Sequence, residues 1–254
     1  MNKKNLMPMM STGANVLKSS FVMVVLFLWV LVGCASFQKM KNAYVVFIDY
    51  TKSAATFYGN NPDKIKDLLQ QLTKNMDKGD ILEVYPIHAY TASATPLLRL
   101  QGPELIGDLR DKQKKQKWIK NTALPGIENI WNIKINHDAQ MLTNIYPTVN
   151  KIHGFQKPGY TVKAYVICDM IQDYAGEDFA KILQENSDTN PLEYAQKNIE
   201  KYGVMNSLNG ISVKVLIPGS VQGSQAYDRI RHKVNMFWQE FYSECGADVK
   251  IEDL

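Results

Sequence analysis

Four short apolar runs recur along the chain: Ala43-Tyr-Val-Val-Phe-Ile48, Ile81-Leu-Glu-Val-Tyr-Pro-Ile87, Val162-Lys-Ala-Tyr-Val-Ile-Cys168 and Ile211-Ser-Val-Lys-Val-Leu-Ile217. They are rich in β-branched and aromatic residues and are too short for helices. Continuous rather than alternating apolarity suits strands covered on both faces. Between the first two, Ile65, Leu68, Leu69, Leu72 and Met76 recur at helical spacing after Pro62-Asp63 and stop at Gly79-Asp80. The same logic predicts a helix from Asp138, as its cap, through Met141, Leu142, Ile145, Val149 and Ile152, kinked or interrupted at Pro147. Further helices are expected near Pro191 to Tyr202, and from the turn Pro218-Gly219-Ser220 through Ile230, Val234, Phe237, Trp238 and Phe241, ending by Gly246.

The segment from about 103 to 135 is charged, carries Trp118 and Trp131, and is interrupted by Pro125-Gly126. It reads as one or two peripheral helices inserted between core elements. Strands separated by helices predict an α/β fold, a doubly wound and mostly parallel sheet with helices on both faces. Ligands of such sheets gather beyond the carboxyl ends of the strands, where Asp49 and Asp169 stand.

The N-terminus follows another pattern. Lys3, Lys4 and Lys18 precede an apolar run of 13 residues, Phe21 to Gly33, and no acidic residue occurs before Cys34. A spanning helix needs about 20 apolar residues, so the run reads as the core of an export signal. Leu31-Val32-Gly33-Cys34 resembles the lipobox of bacterial lipoproteins. That resemblance implies cleavage after residue 33, diacylglycerol and N-acyl modification of Cys34, and a polar tether over 34–42. A membrane partner through the lipid anchor follows, because two or more acyl chains hold far more firmly than one. Cell-envelope localisation is expected, and Ala35 is compatible with the outer membrane if the cell is Gram-negative.

The formal net charge is +4, three charges of which are the signal lysines, so the remainder is close to neutral. Nothing in it points to a nucleic-acid partner. The basic run Lys112 to Lys120 is expected to be a solvated helix face, with a membrane-surface contact as the alternative. The 212 residues from 43 to 254 suffice for one domain. Cys168 and Cys245, at a strand end and a helix end, are expected as unpaired thiols.

Candidate chemistry concentrates after the first strand, where Asp49-Tyr-Thr51-Lys-Ser53 sets a carboxylate and two hydroxyls at alternate positions. Alternate residues of an extended loop project the same way, so their oxygens can converge on a hard cation such as magnesium, which retains water as additional ligands. Asp169, ending another central strand, can complete the shell. On these residues the chain resembles the von Willebrand factor type A family, whose metal-ion-dependent adhesion site is an Asp-x-Ser-x-Ser loop followed by an Asp after a later strand. Gly79-Asp80 with the strand to Ile87 also matches the family's second strand and its turn. The resemblance covers most of 43–245, least around 103–135. It implies a divalent cation, Mg2+ or another, held by Asp49, Thr51, Ser53 and Asp169, and a protein partner whose carboxylate completes its coordination. The family's loop Thr has His137 in its place, within Asn136-His137-Asp138, so Asp138 is an additional candidate ligand, with a helix N-cap as its alternative role.

One enzymatic alternative stands beside this. Asp-x-Thr-x-Ser after a strand also resembles the haloacid-dehalogenase-like phosphohydrolases, with Asp49 as nucleophile and Asp169 and Asp173 as magnesium carboxylates. Those enzymes carry a second Asp where Thr51 stands, and no phosphate clamp is evident, so a binding module without catalytic residues is the preferred expectation. His88, His137, His153 and His232 show no zinc spacing, and no Walker loop, dinucleotide fingerprint or nucleophile elbow occurs.

Overall fold

The computed structural model describes residues 39–51, 62–105, 107, 109–134, 138–174, 177–183, 188–202, 206–218 and 225–254. The export signal, Cys34, Ser53 and His137 lie outside the described residues. The main sheet has six strands: β1 Lys41–Asp49, β2 Ile81–Ile87, β3 Leu98–Gln101, β4 Tyr160–Ile167, β7 Ser212–Ile217 and β8 Asp248–Asp253. Their order is β3-β2-β1-β4-β7-β8, parallel throughout except for β3 against β2. Two-residue strands β5 (Asp173–Tyr174) and β6 (Glu177–Asp178) pair separately.

Helices cover both faces: α1 Pro62–Asn75, α2 Asp111–Trp118, α3 Leu124–Ile130, α4 Pro147–His153, α5 Phe179–Ile182, α6 Pro191–Tyr202 and α7 Gln225–Glu244. The α/β expectation with a mostly parallel sheet therefore holds, and Met40–Leu254 forms one compact unit. The continuous apolarity of β1 has a direct cause. Ala43, Val45 and Phe47 enter one core with α4, α6 and α7, whereas Tyr44, Val46 and Ile48 enter the other with α1 and α3. A strand between two cores has no polar face. On the first side, Phe237, Trp238, Phe241 and Tyr242 of α7 are fully buried. Each such side chain contributes about 1.5–3 kcal/mol of transfer free energy. Among the described residues no helix is long and apolar enough to cross a membrane.

Three expectations need correction. The helix from Asp138 through Ile152 is instead a 3-10 turn at Ala139–Met141, a non-helical stretch, and α4 starting at Pro147. Proline kinks a helix interior, but at the first position its missing N–H costs nothing, so it starts one here. In the 103–135 insert, Pro125-Gly126 does not break the helix. A wide turn at Ile119–Ala123 joins α2 to α3 with helical backbone, which lets Pro125 sit within α3's first turn. Third, β3 and β8 were not expected. They are the two edges of the sheet, and the charged β8 residues Asp248, Lys250, Glu252 and Asp253 discourage pairing with another chain.

Candidate metal centre

The parallel register sets Ile48 beside Ile167 on adjacent strands β1 and β4, so both strands release their next residues at the same edge of the sheet. Asp49 is the last residue of β1 and is fully buried. Its Oδ1 accepts the Thr51 N–H at 2.9 Å and the Thr51 hydroxyl at 2.7 Å. A carboxylate that binds the backbone two residues on closes a local turn, which here aims the buried Thr51 hydroxyl at Asp49. Asp49 Oδ2 accepts from the Cys168 thiol at 3.0 Å. Asp49's hydrogen-bond partners among the described residues are thus Thr51 and Cys168, neither of them cationic.

Across from it, the chain leaving β4 turns sharply at Met170, which has φ 64°, a left-handed conformation unfavourable for a side chain with Cβ. Three hydrogen bonds hold that turn. The Met170 N–H donates to Cys168 Sγ at 3.2 Å, the Ile171 N–H donates to Asp169 Oδ1 at 2.9 Å, and Trp238 Nε1 donates to the Met170 carbonyl at 2.7 Å. Such a conformation costs on the order of 1–3 kcal/mol and persists only where its surroundings fix it. Beside this turn, ligand atoms of Asp169 and Asp49 lie within 4.8 Å of each other. Cys168 Sγ lies 3.7 Å from Asp169 Oδ1.

One ligand atom from each of Asp49, Cys168 and Asp169 falls within 4.8 Å of the others. Asp169 is 9% exposed, whereas Asp49 and Cys168 are fully buried. Burial raises the Asp49 carboxyl above the ordinary carboxylate range. Burial, and then the charge of Asp49, push Asp169 up to about 7. Burial followed by the charges of Asp49 and Asp169 pushes the Cys168 thiol well up. All three groups are held in an environment that disfavours their negative forms. A positive ion or a proton relieves that.

Of the residues singled out by sequence, Asp49, Thr51 and Asp169 come together, and Ser53 lies outside the described residues. Asp138 precedes the 3-10 turn without a side-chain cap, and it is not in the ligand group among the described residues. Asp173, the second carboxylate of the phosphohydrolase alternative, is exposed in β5 and pairs through its backbone with Thr143, outside that group. Cys168 and Cys245 are free and buried, as expected, but Cys168 stands between the carboxylates rather than as a passive strand end. Tyr50, next to Asp49, is partly buried, stacks on Trp131 and donates to the Ile130 carbonyl at 3.2 Å. Two carboxylates and a thiol within 4.8 Å of one another, with the Thr51 hydroxyl beside Asp49, are a donor set that fits a divalent cation.

No protein-family model matches the chain, and no curated protein matches it. Among solved structures, it is similar to a von Willebrand factor type A protein from Catenulispora acidiphila, at 11% identity over 84% of this chain and 39% of that one, with a TM-score of 0.40. It is also similar to the manganese-loaded TRAP protein of Plasmodium vivax (15% identity, 76% and 63% covered, TM-score 0.39). A third is proximal thread matrix protein 1 of the mussel byssus (12%, 82% and 49%, TM-score 0.36). The chain spans less than two thirds of the length of each.

Proposed function

We propose that this chain is a lipid-anchored envelope protein whose α/β domain binds a protein partner at the carboxyl edge of its sheet, through a divalent cation held by Asp49, Thr51, Ser53 and Asp169. The observation that carries the cation reading is the convergence of Asp49 and Asp169 from adjacent strands, on a shared ligand group within 4.8 Å. Like charges so close are costly without a counter-charge, and a cation provides it while leaving coordination positions for a partner's carboxylate. The anchor rests on the apolar run and Leu31-Val32-Gly33-Cys34.

A binding role is favoured over phosphoryl transfer by the burial of Asp49. Both of its oxygens are engaged and none of the side chain is exposed, whereas a nucleophile must reach its phosphorus. The full chain in detergent with magnesium should therefore leave a generic phosphate ester intact. Hydrolysis that disappears in Asp49→Asn would replace the binding module with an enzyme. The anchor is tested separately: Cys34→Ser should abolish incorporation of labelled fatty acid, and unchanged labelling would remove the lipoprotein assignment.

A further inference from the structure

We propose that Cys168 is a ligand of this centre and makes it selective for a thiophilic divalent cation of the zinc class over magnesium. The inference rests on the cation reading above and concerns which ion the donor set prefers. An all-oxygen set suits magnesium, which takes six hard ligands in near-octahedral array. The set found here differs by one atom. Cys168 Sγ lies between the two carboxylates, 3.0 Å from Asp49 Oδ2 and 3.7 Å from Asp169 Oδ1. Around a tetrahedral zinc, with bonds of about 2.3 Å to sulfur and about 2.1 Å to oxygen, sulfur and oxygen stand roughly 3.6 Å apart. The two sulfur–oxygen separations lie on either side of that value, and the three ligand atoms all fall within 4.8 Å of one another, which places the thiol within reach of an ion shared by the carboxylates.

The thiol also cannot easily turn away. Its sulfur accepts the Met170 N–H at 3.2 Å, and the residue is sealed from solvent. Zinc accepts a mixed set of cysteine sulfur and carboxylate oxygen ligands, so Cys168 adds to the oxygen ligands named above rather than replacing them. On coordination the S–H bond breaks, the sulfur lone pair binds the cation and the proton passes to solvent, since a metal-bound thiol is deprotonated outright. A soft sulfur ligand favours zinc and cobalt, whereas magnesium gains little from it.

The test uses the full chain in detergent. Zn2+ and Mg2+ are competed at equilibrium against a chromogenic chelator, and Co2+ is added separately to read the thiolate-to-cobalt charge-transfer absorption. The wild-type chain should prefer Zn2+ and show the cobalt band. Cys168→Ser should lose the band and reduce the zinc-to-magnesium preference by at least about tenfold, the scale on which ligand environments alter metal affinity. The wild-type band keeps the proposal testable even if that variant fails to fold. Magnesium binding without zinc preference, no band in the wild type, or a band retained in Cys168→Ser each overturns the assignment of Cys168 while leaving the cation reading standing. Binding of none of the three ions overturns both.

Discussion

Strand β1 carries a buried carboxylate environment at each end, and the two differ in what neutralises them. At the amino end, Asp80 before β2 accepts the Asn42 N–H at 2.7 Å, the Asn42 side-chain amide at 3.2 Å and the Asp77 N–H at 2.9 Å. Three N–H donors surround one charge, and the starts of β1 and β2 are tied together. At the carboxyl end, Asp49 receives Thr51 and a thiol, and a second carboxylate, Asp169, stands beside it. Both ends are sealed by the same sheet. The amino end has local donors matched to a single charge, as a structural carboxylate does. The carboxyl end concentrates acidic groups whose charged forms are disfavoured, as a site awaiting a counter-charge does.

The largest expected effect falls on the structural end. Asp80→Ala leaves the N–H groups of Asn42 and Asp77 without their acceptor and should destabilise the domain by about 4 kcal/mol in urea unfolding, since charge-assisted bonds contribute about 1.5–3 kcal/mol each and do not add fully. Cation affinity of the folded fraction should not change. A matching loss of affinity would mean that the two ends are not separate.

At the carboxyl end the sign reverses. A carboxyl whose folded pKa is raised contributes stability that is fully present below its ordinary pKa and is lost as the pH climbs through the folded value, about 7 for Asp169. Asp169→Asn keeps that contribution at every pH. In metal-free protein the variant should match wild type near pH 4 and exceed it by about 2–3 kcal/mol at pH 8, allowing about 1.4 kcal/mol per unit and a discount for coupling to Asp49. Unfolding curves at the two pH values check this, and a variant less stable at pH 8 would contradict the charge argument. The smallest effect belongs to the support of the turn. Trp238→Phe removes the donor to the Met170 carbonyl and should cost about 1–2 kcal/mol. Its cation affinity should also fall, because Met170 then holds Asp169 less firmly.

How much of this was legible in the sequence follows burial. The inner strands β1, β2, β4 and β7 showed as apolar runs because each lies between two cores, and α1, α6 and α7 showed through their spacing. The edge strands did not: β3 is four residues long, and β8 is mostly charged, so neither carries the apolar run of an inner strand. The helix placed over 138–152 failed because Met141, Leu142 and Ile145 mimic a helical period while belonging to a turn and a non-helical segment. Asp49, Thr51 and Asp169 were readable as strand-end chemistry. Cys168 was not, for a geometric reason. Adjacent residues of a strand face opposite sides, so Cys168 and Asp169 should diverge. β4 ends at Ile167, so Cys168 and Asp169 already lie in the turn around Met170 and are released from that alternation, and no glycine announces the turn.

If Asp49 and Asp169 share one cation, isothermal titration of Mn2+ into the full chain in detergent, in wild type and in Asp49→Asn with Asp169→Asn, should show it. Wild type should bind one equivalent. The double variant, folded by circular dichroism and at least as stable as metal-free wild type at pH 8, should bind none at this site. Saturable one-site binding of equal affinity in both proteins, or none in wild type, would mean that the two carboxylates do not share a cation.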